Sequence, residues 1–207
     1  MIKGYCTSSR GMVMITVIMI ISVVLLLALS MVTVSTNHYQ MVHSSSSGIK
    51  AYYLAESAID ITTYELLIMS EQAIFYFLTD LQSYKIQYIL EGEEGDTILL
   101  KDYHPPILEN YLEDKVVDHL SIIERRITQP FEEYHASHYY EILIEGVSLS
   151  TNHIQMMGIG SYDEARRFIK FVVQLPEVIE VGVDALGLPE IEVVPLRVVS
   201  YYQTFGE

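Results

Sequence analysis

The chain has 207 residues, half of them hydrophobic and only 19% charged, and Lys+Arg 12 against Asp+Glu 27 leaves a net charge of -15. A soluble domain carries about 25% charged residues, so one very apolar segment is expected, and so acidic a chain repels phosphate backbones, which argues against a nucleic-acid partner. The single cysteine, Cys6, excludes an internal disulfide, no Cys/His zinc pattern occurs, and the length suits one domain plus an anchor.

The apolar segment comes first. No Asp, Glu, Lys or Arg lies between Arg10 and Lys50, and Met12 to Val34 is almost wholly apolar. About 20 such residues, rising about 1.5 Å each, cross a hydrocarbon core of about 30 Å. Lys3 and Arg10 precede the run and only histidines follow it before Lys50. The positive-inside rule then keeps the amino terminus cytoplasmic and sends the rest of the chain outside. Three fates compete for this segment. A cleaved secretory signal would use Ala28-Leu29-Ser30, but its apolar region from Met12 to Leu27 is long for that purpose. A lipoprotein would need a cysteine after the run, and Cys6 precedes it. The third fate is an anchor that is uncleaved or trimmed on the cytoplasmic side.

The junction favours the third. Ser8-Ser9-Arg10-Gly11-Met12 sets a basic residue and a glycine directly before the apolar run, which resembles the processing site of type IV prepilins and type II secretion pseudopilins. The resemblance implies cleavage between Gly11 and Met12 by a membrane peptidase, methylation of the new amine, and a leader of residues 1–11 that removes Cys6. The family's usual Glu at the fifth mature position is replaced here by Thr16. In that respect the segment is closer to PilX-type minor pilins and K-type minor pseudopilins. The run Ala51-Tyr-Tyr-Leu-Ala55-Glu-Ser-Ala58 also resembles the segment that follows the membrane helix in PilX-type proteins.

Beyond the membrane run, Ser44 to Gly48 interrupts the helix signal and predicts a kink or short loop. Tyr52, Ala55, Ile59, Thr63, Leu66 and Leu67 then recur at helical spacing, and Ile74, Phe77, Leu78, Leu81, Tyr84 and Tyr88 continue it. Glu91 to Asp96 reads as an acidic loop without the spacing of a calcium-binding EF-hand. Pro105-Pro106 suits a helix start, with Leu108, Tyr111, Leu112, Val116 and Leu120 at helical intervals.

From His138 the period becomes two. Strands are predicted from His138 to Gly146, His153 to Gly160 and Arg166 to Leu175, joined by turns at Ser150-Thr151-Asn152 and Ser161 to Glu164. This antiparallel meander needs a cover, and the amphipathic helix supplies it. Its Gly-Ser-Tyr run at Gly160 to Tyr162 resembles the head domain of PilX-type proteins. Val178 to Val183 and Ile191 to Tyr202 add strands, the last at an edge or broken by Pro195.

The fold class is therefore α+β: a leader over 1–11, a transmembrane helix over 12–36, an amphipathic helical spine over 37–90 and a head over 91–207. There is no Gly-x-Ser-x-Gly elbow and no phosphate-binding glycine loop. His135 and His138 lack a third ligand at helical spacing and read as surface histidines beside a strand. No enzyme, metal or cofactor is expected. Some of the 16 tyrosines, Tyr139-Tyr140 and Tyr201-Tyr202 among them, suit subunit contacts. The resemblance implies a minor pilin-like subunit of the bacterial cytoplasmic membrane whose partners are other pilin-like subunits, the prepilin peptidase, lipid and the assembly platform. The competing reading is a signal-anchored extracytoplasmic binding or sensor protein unrelated to filaments.

Overall fold

A computed structural model describes residues 9–93, 103–148, 151–185 and 187–204. One helix, α1 (Ser9–Glu93), runs for 85 residues. It is followed by α2 (Leu108–Lys115), a 3-10 turn at Val117–His119 and α3 (Leu120–Ile123). Seven strands complete the chain: β1 (Arg126–Thr128), β2 (His138–Ser148), β3 (His153–Tyr162), β4 (Ala165–Gln174), β5 (Glu177–Val183), β6 (Pro189–Val194) and β7 (Arg197–Thr204). The fold is α+β, a long amino-terminal helix packed on a small antiparallel sheet.

The chain divides into two units, Met1–Ser46 and Ser47–Glu207. In the first unit the described side chains are exposed from Met12 to Ser46. In the second, α1 buries Ala51, Ala55, Ala58, Thr62, Leu66, Ser70, Ala73, Phe77 and Leu81, at intervals of three and four residues that keep one stripe facing the sheet. Burying each large side chain of this kind contributes about 1.5–3 kcal/mol.

The helix does not break at Ser44–Gly48. Ser47 and Gly48 are buried, and a Cβ at Gly48 would stand 2.8 Å from Arg167 Nη2. The Arg167 guanidinium of β4 thus lies beside the helix at this glycine, and the helix continues through it. At the other end α1 runs past the expected stop at Tyr88 and through Glu91–Glu93. Tyr88 and Tyr84 pack on Tyr103, with ring centroids 5.2 and 5.5 Å apart, so the last turns have tertiary contacts to hold them. The remainder of the acidic loop, from Glu94 to Asp96, lies outside the described residues.

The main sheet has the order β1-β2-β3-β4-β7, and β5 and β6 form a separate hairpin. β2, β3 and β4 are the predicted meander: β3 and β4 pair without a break from His153↔Gln174, whereas β2 and β3 pair from His138↔Tyr162 with a bulge between Ile144 and Gly146. Asn152 and Asp163 take the left-handed backbone conformation, with φ of 52° and 54°, at the two turns that join these strands. Short polar side chains tolerate that conformation better than most. Alternation along β2 buries His138, Tyr140 and Ile142, and along β4 it buries Ile169, Phe171 and Val173.

The predicted strand from Ile191 to Tyr202 is two strands in different sheets. Pro195 and Leu196 separate them, and proline has no N–H for a ladder. β7 then returns beside β4, Phe171 opposite Tyr201. β1 was not legible in the sequence; it is three residues long and pairs with β2 through Ile127↔Tyr140.

A chain that begins at Ser47 retains the whole second unit. It is expected to be soluble and monomeric, with mixed α/β circular dichroism. Persistent aggregation in size-exclusion chromatography would contradict the unit boundary.

Candidate functional site

The apolar run of α1 from Met12 to Val34 has no titratable side chain. An 18-residue window within it reaches a mean hydropathy of 3.1 with none of it buried inside the chain. A soluble core helix of this composition would be covered; this one is long and apolar enough to cross a membrane. Its few polar side chains are satisfied internally. The Thr16 hydroxyl donates to the Met12 carbonyl at 2.6 Å, and Ser22, Ser30 and Thr33 donate to the carbonyls four residues back at 2.9–3.0 Å. Such bonds let hydroxyls enter an apolar medium without an orphaned donor. Gly11 and Met12 both fall within α1, while residues 1–8, including Lys3 and Cys6, lie outside the described residues.

The second part of the site is where α1 meets β3. Two of the segments that carry the resemblance, Ala51–Ala58 and Gly160–Tyr162, lie here, and they touch. A Cβ at Gly160 would stand 2.0 Å from the Ala51 carbonyl oxygen and 2.4 Å from the Ala55 nitrogen. A Cβ at Gly158 would stand 3.0 Å from the Ala55 carbonyl oxygen and 2.9 Å from Ile59 Cγ1. Ala51, Ala55 and Ala58 are fully buried. Small residues on both sides thus bring helix and strand backbones into contact, the use that glycine inside a strand often has. Gly158 and Gly160, two apart and so on one face, were the signal in the sequence for this approach.

Around that contact the head is locked by aromatic rings. Lys50 Nζ sits 4.4 Å from the centroid of the Tyr162 ring and 3.1 Å from its hydroxyl. Tyr134 stands 5.2 Å from both Tyr162 and His138, measured between ring centroids. His138 is not a surface residue as the sequence suggested: it is 2% exposed. Nδ1 bonds to the Ala136 carbonyl at 2.8 Å, and Nε2 accepts from the Phe131 N–H at 3.2 Å. Both ring nitrogens are therefore used in holding the segment before β2. His135 is exposed, so the two imidazoles are not brought together for a metal. Among the described residues there is no group of three or more potential metal ligands.

On the other flank the Tyr52 and Tyr201 hydroxyls lie 3.3 Å apart. Burial, the bond to Tyr52 and the carboxylates of Glu56 and Asp60 hold the Tyr201 phenol well above the ordinary tyrosine range, so it stays protonated as a hydrogen-bonding group. Arg125 joins α1 through Glu65 at 2.6 Å, and Tyr111 of α2 donates to Asp80 at 2.7 Å, which raises the Tyr111 pKa. Tyr140 is in the core, whereas Tyr202 remains 52% exposed. α1 also leaves Tyr53, Tyr64, Ile68 and Phe75 exposed, at a spacing that lines one side of the helix.

No family model, curated protein or solved structure matches the chain.

Proposed function

We propose that the chain is a pilin-like minor structural subunit, held in the bacterial cytoplasmic membrane with its head outside, which takes part in starting or assembling a type IV pilus or a related secretion filament. The observation that carries this reading is the joining of two resembling segments in one place: the Ala51–Ala58 stretch of α1 lies directly on β3 at Gly160, the first residue of the Gly160–Tyr162 run. The helix that makes this contact is the one whose apolar run begins at Met12, after the Arg10-Gly11 junction. The exposed row Tyr53, Tyr64, Ile68 and Phe75 adds apolar surface suited to neighbouring helices. In this reading the working parts are the processing junction and the helix. The partners are the prepilin peptidase, other pilin-like subunits, lipid and the assembly platform.

Thr16 sets the subunit's rank. A lone carboxylate at the centre of a membrane helix costs about 2.5–3.5 kcal/mol and needs a partner; in the family it is thought to meet the terminal amine of a neighbouring subunit. Thr16 spends its hydroxyl on its own helix and offers no charge. The protein is therefore expected to be a scarce component. Quantitative immunoblotting of sheared filaments should find it far below the main subunit. If it is the most abundant subunit, and filaments persist when every other pilin is deleted, the reading fails.

A further inference from the structure

The second unit contains a cavity of about 350 Å³ between α1, the Tyr103–Pro106 segment and the β5–β6 hairpin. Its apolar wall includes Phe77 and Leu81 of α1, Val178 of β5 and Ile191 of β6. Two opposite charges also line it, Lys85 and Glu180. They do not pair with each other, and neither has an ion-pair partner among the described residues. Lys85 uses one ammonium hydrogen on the Pro189 carbonyl, at 2.7 Å, and keeps two for another acceptor. Glu180 is on an exposed stretch of β5 and keeps its carboxylate oxygens as acceptors. A concave apolar site of a few hundred Å³ with a small number of polar groups is the usual form of a small-molecule site.

We propose that this cavity binds a free amino acid with an apolar side chain, or a zwitterion of the same build. Lys85 takes the carboxylate, Glu180 takes the ammonium, and the Phe77–Leu81–Ile191 wall takes the side chain. A neutral apolar ligand would leave both charges unused. An ion of either sign would meet one attractive and one repulsive group. Only a zwitterion satisfies both, through charge-assisted hydrogen bonds. The inference is independent of the filament reading, since it uses only residues of the second unit.

Three probes share one apolar body and differ in charge: L-phenylalanine, phenylalaninamide as the cation and N-acetylphenylalanine as the anion. Saturation-transfer NMR and calorimetric titration of the full-length chain in detergent micelles should rank L-phenylalanine about tenfold tighter than either singly charged analogue. Glu180→Gln should remove its advantage over the anion, and Lys85→Gln, which still offers a donor to Pro189, its advantage over the cation. Thermal melts of both variants show whether the head remains folded; Glu180→Gln, at an exposed position, is expected to melt with the wild type. Equal binding of the three probes, no detectable binding of L-phenylalanine, or unchanged selectivity in a folded Glu180→Gln variant would each overturn the proposal.

Discussion

Gly160→Ala is expected to unfold the head or to cost at least about 3 kcal/mol, among the larger effects a single methyl can have. The added carbon would stand 2.0 Å from the Ala51 carbonyl oxygen and 2.4 Å from the Ala55 nitrogen. Both are backbone atoms of a helix that is buried there on the sheet, so no side chain can swing aside. Relief requires α1 to lift from β3, which opens the stripe from Ala51 to Leu81 to water. Gly182→Ala is the control, because a Cβ there meets nothing nearer than Glu190 Oε2 at 3.8 Å. It should change stability by no more than about 0.5 kcal/mol. Thermal unfolding of the two full-length variants in mild detergent, followed by near-ultraviolet circular dichroism, compares them. A Gly160→Ala protein as stable as the wild type would mean that helix and strand do not approach as described.

Gly11→Val carries the largest expected effect on function. Under the proposed reading the peptidase cuts beside a residue with no side chain, and a branched one in its place should block the cut. Valine is at home in an apolar helix, and the charge distribution about the membrane run is unchanged, so insertion and orientation should persist. The variant is therefore expected to accumulate in the membrane at its unprocessed mass and to be missing from sheared filaments. Normal processing of Gly11→Val would place the cut, if there is one, elsewhere.

Local patterns made much of this fold legible. β2, β3 and β4 could be read because apolar residues alternate from His138 onward and because Asn152 and Asp163 supply the turn chemistry between them. Part of the helical stripe was visible at a period near 3.6: Ala55, Ile59, Leu66, Phe77 and Leu81 are buried as their spacing suggested, whereas Leu78 is exposed and the small buried residues Ala58, Ser70 and Ala73 gave no apolar signal strong enough to read. What escaped depends on contacts distant in sequence. Ser44–Gly48 looks like a helix breaker until Arg167, from β4, is seen lying on Gly48. β1 is too short to show a period, and its strand state rests on pairing with β2. That β6 and β7 belong to different sheets follows from β7 finding β4, which no local pattern encodes. His138 reads as a polar residue at a strand end; Tyr134, Tyr162 and Ala136 make it a buried one. The cavity at Lys85 and Glu180 joins residues far apart in the chain and had no sequence signal at all.

Mass spectrometry of the protein extracted from the membranes of its own cells reads the amino terminus directly. The predicted mature chain begins at Met12, carries one added methyl on its terminal amine and lacks Cys6. A chain that retains Met1 to Gly11 in a cell with an active prepilin peptidase, or one that begins at Met31, would contradict the filament reading and favour a signal-anchored binding protein.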